Sequence, residues 1–92
     1  MFMKKILVVC SNGLGSSLML KSNIQKVLGE KGIQAKVDHC DLGSARAAAS
    51  DVDLVVTSAM LAQELEDLQT PVVTILNFIS VQEIEEKVVG QL

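Results

Sequence analysis

A chain of 92 residues that is 49% apolar, with two phenylalanines and neither tyrosine nor tryptophan, has material for one modest core of Val, Leu, Ile, Ala and Met. Eleven acidic against eight basic residues, a formal charge of −3 and no cluster of Lys and Arg argue against nucleic acid as a partner, and no aromatic platform is present to stack bases. Two cysteines, Cys10 and Cys40, in so aliphatic a chain do not make a disulfide scaffold and suit a reducing cytosol.

The opening "MFMKKILVVC" mimics a lipoprotein signal, but only Ile6 to Val9 separate the lysines from Cys10, against ~7–15 residues for a signal core. No other stretch approaches a membrane span. The expectation is a soluble chain kept whole, with no direct membrane insertion. Ile6, Leu7, Val8 and Val9 form a continuous apolar run ending at glycine punctuation, as in a central strand covered on both faces. Leu20, Ile24, Val27 and Leu28 then recur at helical spacing until "GEKG" stops them. In "IQAKVDHC", Ile33, Ala35 and Val37 alternate with polar residues, the pattern of a half-exposed strand near a sheet edge.

"GSARAAAS" reads as a short helical piece. Leu54 to Thr57 repeats the buried-strand pattern, and Ser58 can cap a helix through about Leu68. "TPVVTIL" supplies a fourth strand with Pro71 at its entrance, where a missing N–H is tolerated. In "SVQE", Ser80 and Glu83 have capping-box spacing, and Val81, Ile84 and Val88 follow on one face of a last helix. Alternating strands and helices predict an α/β fold, a four-stranded and mostly parallel sheet with helices on both faces, in a single domain over residues 1–92. Ligands of such sheets sit at the carboxyl ends of the strands, where the chain order reverses, and Cys10 falls at that end of the first strand.

The loop Cys10, Ser11, Asn12, Gly13, Leu14, Gly15, Ser16, Ser17 carries the chemistry. Gly13 and Gly15 permit a backbone that turns successive N–H groups inward, and the positive end of the following helix points to the same place, which makes an anion cradle. The chain has no Gly-Lys pair for a nucleotide P-loop, and the third glycine of a dinucleotide fingerprint falls on Leu18. A thiol among such donors is stabilised as the nucleophilic thiolate, suited to attack phosphorus. The same donors, with the hydroxyls of Ser11, Ser16 and Ser17, would hold the oxygens of an S-phosphoryl group.

Two families resemble this arrangement. Low-molecular-weight tyrosine phosphatases and the related arsenate reductases, whose flavodoxin-like fold the chain is expected to share, carry Cys-x5-Arg-Ser. Here the arginine position is Ser16, followed by Ser17, and the only proline, Pro71, follows Thr70 rather than the aspartic acid of the phosphatases. Loss of the arginine would slow hydrolysis of a phosphocysteine and let the group wait for another acceptor.

Across nearly its full length the chain resembles the IIB component of a bacterial phosphoenolpyruvate-dependent sugar phosphotransferase system, of the ascorbate and galactitol type. The resemblance lies in "KILVVC", "CSNGLGSSLMLK", "DVDLVVTSAML" and "VVTILNFIS". It implies a phosphotransferase in which Cys10 takes a phosphoryl group from a phosphohistidine on a IIA partner. Cys10 would pass it to a carbohydrate bound by the membrane-embedded IIC permease. Asn12, Gly13 and Leu14 would contribute loop shape and backbone donors. The resemblance also implies a cytoplasmic protein, peripheral to the membrane through the permease, with no cofactor. The alternatives are a degenerate phosphatase or arsenate reductase-like domain, and a non-catalytic anion-binding regulatory module.

Plainer readings accompany these. Cys10 as an apolar plug at a strand end is the alternative to a phosphocysteine, and the loop after it favours the latter. Ser16 and Ser17 serve equally as helix cap and phosphate donors. His39 and Cys40 are adjacent, but two ligands do not make a metal site, and both read as structural. Met19 reads as core or contact surface. Glu83, Glu85 and Glu86 read as a solvated helix face.

Overall fold

The computed structural model describes residues 4–9, 14–76 and 80–91. Four strands, β1 (Lys4–Val9), β2 (Ala35–Cys40), β3 (Leu54–Thr57) and β4 (Val72–Thr74), alternate with α1 (Leu14–Glu30), α2 (Leu42–Ala49), α3 (Ala59–Ala62) and α4 (Val81–Val88). All neighbouring strands pair in parallel, in the order β2-β1-β3-β4. The chain therefore steps from β1 to one side, returns across it, and continues to the other side. The point of reversal lies at the carboxyl ends of β1 and β3.

Alternation along β1 divides the core into two layers. Ile6 and Val8 join Leu20, Ile24, Val27, Leu28, Val56, Ile84 and Val88 under α1 and α4. Leu7 and Val9 join Ala45, Ala49, Val55 and Leu65 under α2 and the segment after α3. This is why residues 6–9 are apolar without interruption: each side of the strand meets a helix layer. On α2 the layer is met by alanines four apart, Ala45 and Ala49, which leave the helix no bulk to hold it away from the sheet.

Local chemistry ends and begins the elements. Gly32, with φ of 70°, closes α1: its N–H donates to the Gly29 carbonyl, the Ile33 N–H to the Leu28 carbonyl at 2.9 Å, and Ile33 packs back on the first core layer. Asp41 caps α2, its carboxylate accepting from the Ser44 N–H at 2.9 Å. At the amino end of the central strands, the Asp53 N–H donates to the Lys5 carbonyl and the Lys5 N–H donates to the Asp53 carboxylate, both at 2.8 Å. That exchange sets the register of β1 on β3. Pro71 stands at the entrance of β4 as expected, giving its carbonyl to the Val55 N–H.

Several sequence expectations are corrected. The helix expected from Ser58 to about Leu68 is only α3 followed by a 3₁₀ turn over Gln63–Leu65, and Ser58 makes no side-chain cap bond. Leu65 and Leu68 both pack on the second core layer, and their spacing of three suits a 3₁₀ turn better than an α-helix. The fourth strand is three residues long; Ile75 is buried after it, outside the ladder. Val81 is 39% exposed, because the first residue of α4 stands beyond the end of the core layer that takes Ile84 and Val88. Glu83 is no solvated residue: its side chain is 16% exposed, and its carboxylate accepts from the Leu76 N–H at 2.7 Å and from Lys87 Nζ at 3.1 Å.

Candidate functional site at the carboxyl end of the sheet

β1 ends at Val9 and α1 starts at Leu14, so Cys10 falls in a four-residue connection at the reversal point of the sheet. Cys10, Ser11, Asn12 and Gly13 lie outside the described residues. Leu14, Gly15, Ser16 and Ser17 are the first turn of α1. The N–H groups of a helix's first turn have no acceptor within the helix and face the direction from which the chain enters. The helical period read from Leu20 onward missed the six preceding residues of α1, where Gly15, Ser16 and Ser17 read as loop although Leu14 and Leu18 stand four apart.

The floor of this end of the sheet is well defined. Val9 is register partner to Cys40 on β2 and to Thr57 on β3. Thr57 is fully buried, the one polar residue in the core among the described residues. Its hydroxyl donates to the Val9 carbonyl at 2.8 Å, and its own carbonyl accepts from the Ile75 N–H at 3.0 Å. One residue thus ties the carboxyl ends of β1 and β3 to the end of β4. Sequence reading passed over it, although a hydroxyl closing the apolar run "LVVT" was a usable signal.

Around the rim, the large apolar residues Leu18, Met19, Leu76 and Val81 are exposed, at 49%, 48%, 80% and 39%. Each belongs to a segment that leaves the carboxyl end of a strand. Met19 is therefore a surface residue and not part of the core. Cys40 and His39 are half-buried on β2, with Cys40 packed against the second core layer. Among the described residues no group of His, Cys, Asp and Glu could hold a metal ion, and no helix is long and apolar enough to cross a membrane.

A parallel 2-1-3-4 sheet with a cysteine in its first βα connection defines an open, doubly wound α/β domain. Comparison with known proteins narrows it. Residues 5–89 match the family model for the lactose/cellobiose-specific IIB subunit of the phosphotransferase system, and the chain belongs to that family. It is 28% identical over 82 residues to the ascorbate-specific IIB component of Mycoplasma pneumoniae, spanning 88% of this chain and 86% of that one. It is 33% identical over 61 residues to the ascorbate-specific IIB component of Escherichia coli O157:H7, spanning 66% of this chain and 60% of that one.

Among solved structures it resembles the lactose-specific IIB domain of Streptococcus pneumoniae, with a TM-score of 0.74, 15% identity and 98% of each chain covered. It also resembles the cellobiose-specific IIB protein of Borrelia burgdorferi, with a TM-score of 0.67, 24% identity, and 98% and 88% covered. The expected parallel fold with helices on both faces, and the expected IIB family, are both borne out. The chain is a phosphoryl carrier of sugar uptake, a phosphotransferase subunit that works with IIA and IIC components as IIB domains do in general.

Proposed function

We propose that Cys10 is the residue that carries the phosphoryl group, with the loop from Ser11 to Ser17 as its cradle. The observation that carries this reading is the placement of the Cys10 connection at the reversal point of the sheet, running directly into the first turn of α1. There the free N–H groups of that turn stabilise a thiolate before transfer and phosphoryl oxygens after it. In the first step an S–P bond forms as the N–P bond of a phosphohistidine on the IIA partner breaks, returning the imidazole to the donor. In the second, a hydroxyl oxygen of the sugar held by the IIC permease takes the phosphoryl group. The S–P bond breaks, the thiolate is restored and the hydroxyl proton is lost. The sugar is of the ascorbate-like or galactitol-like class, and the names of the relatives at 28% and 33% identity support the ascorbate-like reading.

Residues 1–92 act as one IIB domain, in the cytoplasm and at the inner face of the membrane only through the permease. Ser16, standing where the phosphatases have arginine, disfavours hydrolysis. Incubation with phosphorylated IIA component tests the reading: the chain should take up an iodine-labile label, and Cys10→Ser should take up none. A wild-type chain that stays unlabelled, or a Cys10→Ser variant that labels equally, would remove Cys10 from this role.

A further inference from the structure

We infer that Thr57 is a positioning residue for Cys10, acting through the peptide unit that joins Val9 to Cys10; the inference rests on the reading of Cys10 as the phosphoryl acceptor. The residue is conspicuous first for its cost. β3 reads Leu54, Val55, Val56, Thr57, all buried, and a valine at the last position would have the same shape without a hydroxyl to desolvate. The hydroxyl donates to the Val9 carbonyl at 2.8 Å.

That carbonyl belongs to the last residue of β1. The peptide group is planar, so its oxygen, its nitrogen and the two flanking Cα atoms move as one body. Holding the Val9 oxygen therefore holds the peptide plane in which β1 ends and from which the connection carrying Cys10 begins. A carbonyl that accepts a hydrogen bond is also polarised, which strengthens the N–H of the same amide as a donor.

The anchor itself is rigid. Thr57 is β-branched, fully buried, and tied through its carbonyl to the Ile75 N–H at 3.0 Å. By strand alternation it shares a side of the sheet with Val55, in the layer under α2, whereas α1 packs on the other side. Thr57 thus holds the end of β1 from the side of the sheet that faces α2. It is a positioning residue, not a catalytic one.

The test compares the full chain with Thr57→Val, which keeps the shape and removes the donor, and Thr57→Ser, which keeps the donor. The readings are the pH profile of Cys10 alkylation by iodoacetamide, followed on the Cys10 peptide so that Cys40 does not contribute, and the rate of phosphorylation by the IIA component. In Thr57→Val the alkylation profile should move to higher pH and the maximal phosphorylation rate should fall on the order of tenfold with KM for the IIA component unchanged, as for a small misplacement of a reacting group. Thr57→Ser should lie within about threefold of wild type.

A folded Thr57→Val with wild-type profile and rate overturns the inference. So does a folded Thr57→Ser as defective as the valine variant, since the hydroxyl would then not be the operative group. If Thr57→Val does not fold, Thr57→Ala, which leaves room for water at the carbonyl, is put through the same readings with the same criteria. Failure of the phosphoryl-carrier reading would be seen separately: Cys10→Ser would label as well as wild type, whereas the alkylation profile reports the Thr57 contact without any phosphoryl donor.

Discussion

Glu83 shows how much one side chain can settle at the rim of this sheet. Its backbone N–H is capped by the Ser80 hydroxyl at 3.2 Å, while its carboxylate reaches the Leu76 N–H past the end of β4 and Lys87 one turn along α4. A carboxylate accepting a backbone N–H and an ammonium while mostly shielded from water makes charge-assisted bonds, stronger than the neutral kind. Glu83→Gln should therefore destabilise the chain by about 1–2 kcal/mol in urea unfolding. Glu86→Gln on the same helix, exposed to solvent, should stay within about 0.5 kcal/mol of wild type. Equal effects from the two would mean that the Leu76 contact contributes nothing. Thr57 makes the same point at the end of β1: a single hydroxyl, unremarkable in the sequence, joins two strand ends at the carboxyl edge of the sheet.

At the level of elements, the helices are placed by their ends as much as by their apolar faces. The turn from α1 into β2 depends on Gly32 at φ of 70°, a region that costs a residue with a Cβ about 1–2 kcal/mol. A Cβ there would meet nothing within 4 Å, so the cost of Gly32→Ala is purely conformational, about 1 kcal/mol. Gly29, inside the same helix and equally open, should behave in the opposite way: Gly29→Ala should stabilise by about 0.5–1 kcal/mol. Thermal unfolding of the two variants should show Tm shifts of opposite sign, and shifts of the same sign would contradict this account of the α1 terminus. The short α3 and its 3₁₀ continuation follow a different logic, in which core contacts of Leu65 and Leu68 override the longer helix that capping at Ser58 suggests.

For the whole molecule, stability rests on the two apolar layers, and the surface charges adjust its pH limits. Arg46 on α2 hydrogen-bonds the Asp67 carboxylate and also donates to the Glu64 carbonyl at 3.0 Å, holding the Asp67 carboxyl below its usual range. A carboxyl whose pKa falls on folding contributes stability that is present above its unfolded pKa of ~3.9 and is lost as pH drops through the folded value. The stability curve of Asp67→Asn should accordingly run slightly below wild type at neutral pH and merge with it in acid. Added salt should shrink the difference, because both side chains are more than half exposed. Circular dichroism across an acid titration checks this; curves that diverge toward low pH would contradict it. Lys31, its pKa raised by its hydrogen bond to Glu85, contributes in the other direction: its share is present below an unfolded pKa of ~10.4 and is lost as pH rises through the folded value. By itself the sequence determined the alternation of strands and helices, the edge position of β2, the apolar continuity of β1 and β3, and the cysteine, glycine and serine loop with its family resemblance. Those features are local, written in periodicity and in residues with special backbone or chemical character. Only the tertiary structure decided that Val9 and Thr57 meet, that Glu83 turns inward to Leu76, that Val81 is exposed and where α3 ends, because each depends on which side chains and backbone groups distant in the chain become neighbours when the two layers close on the sheet.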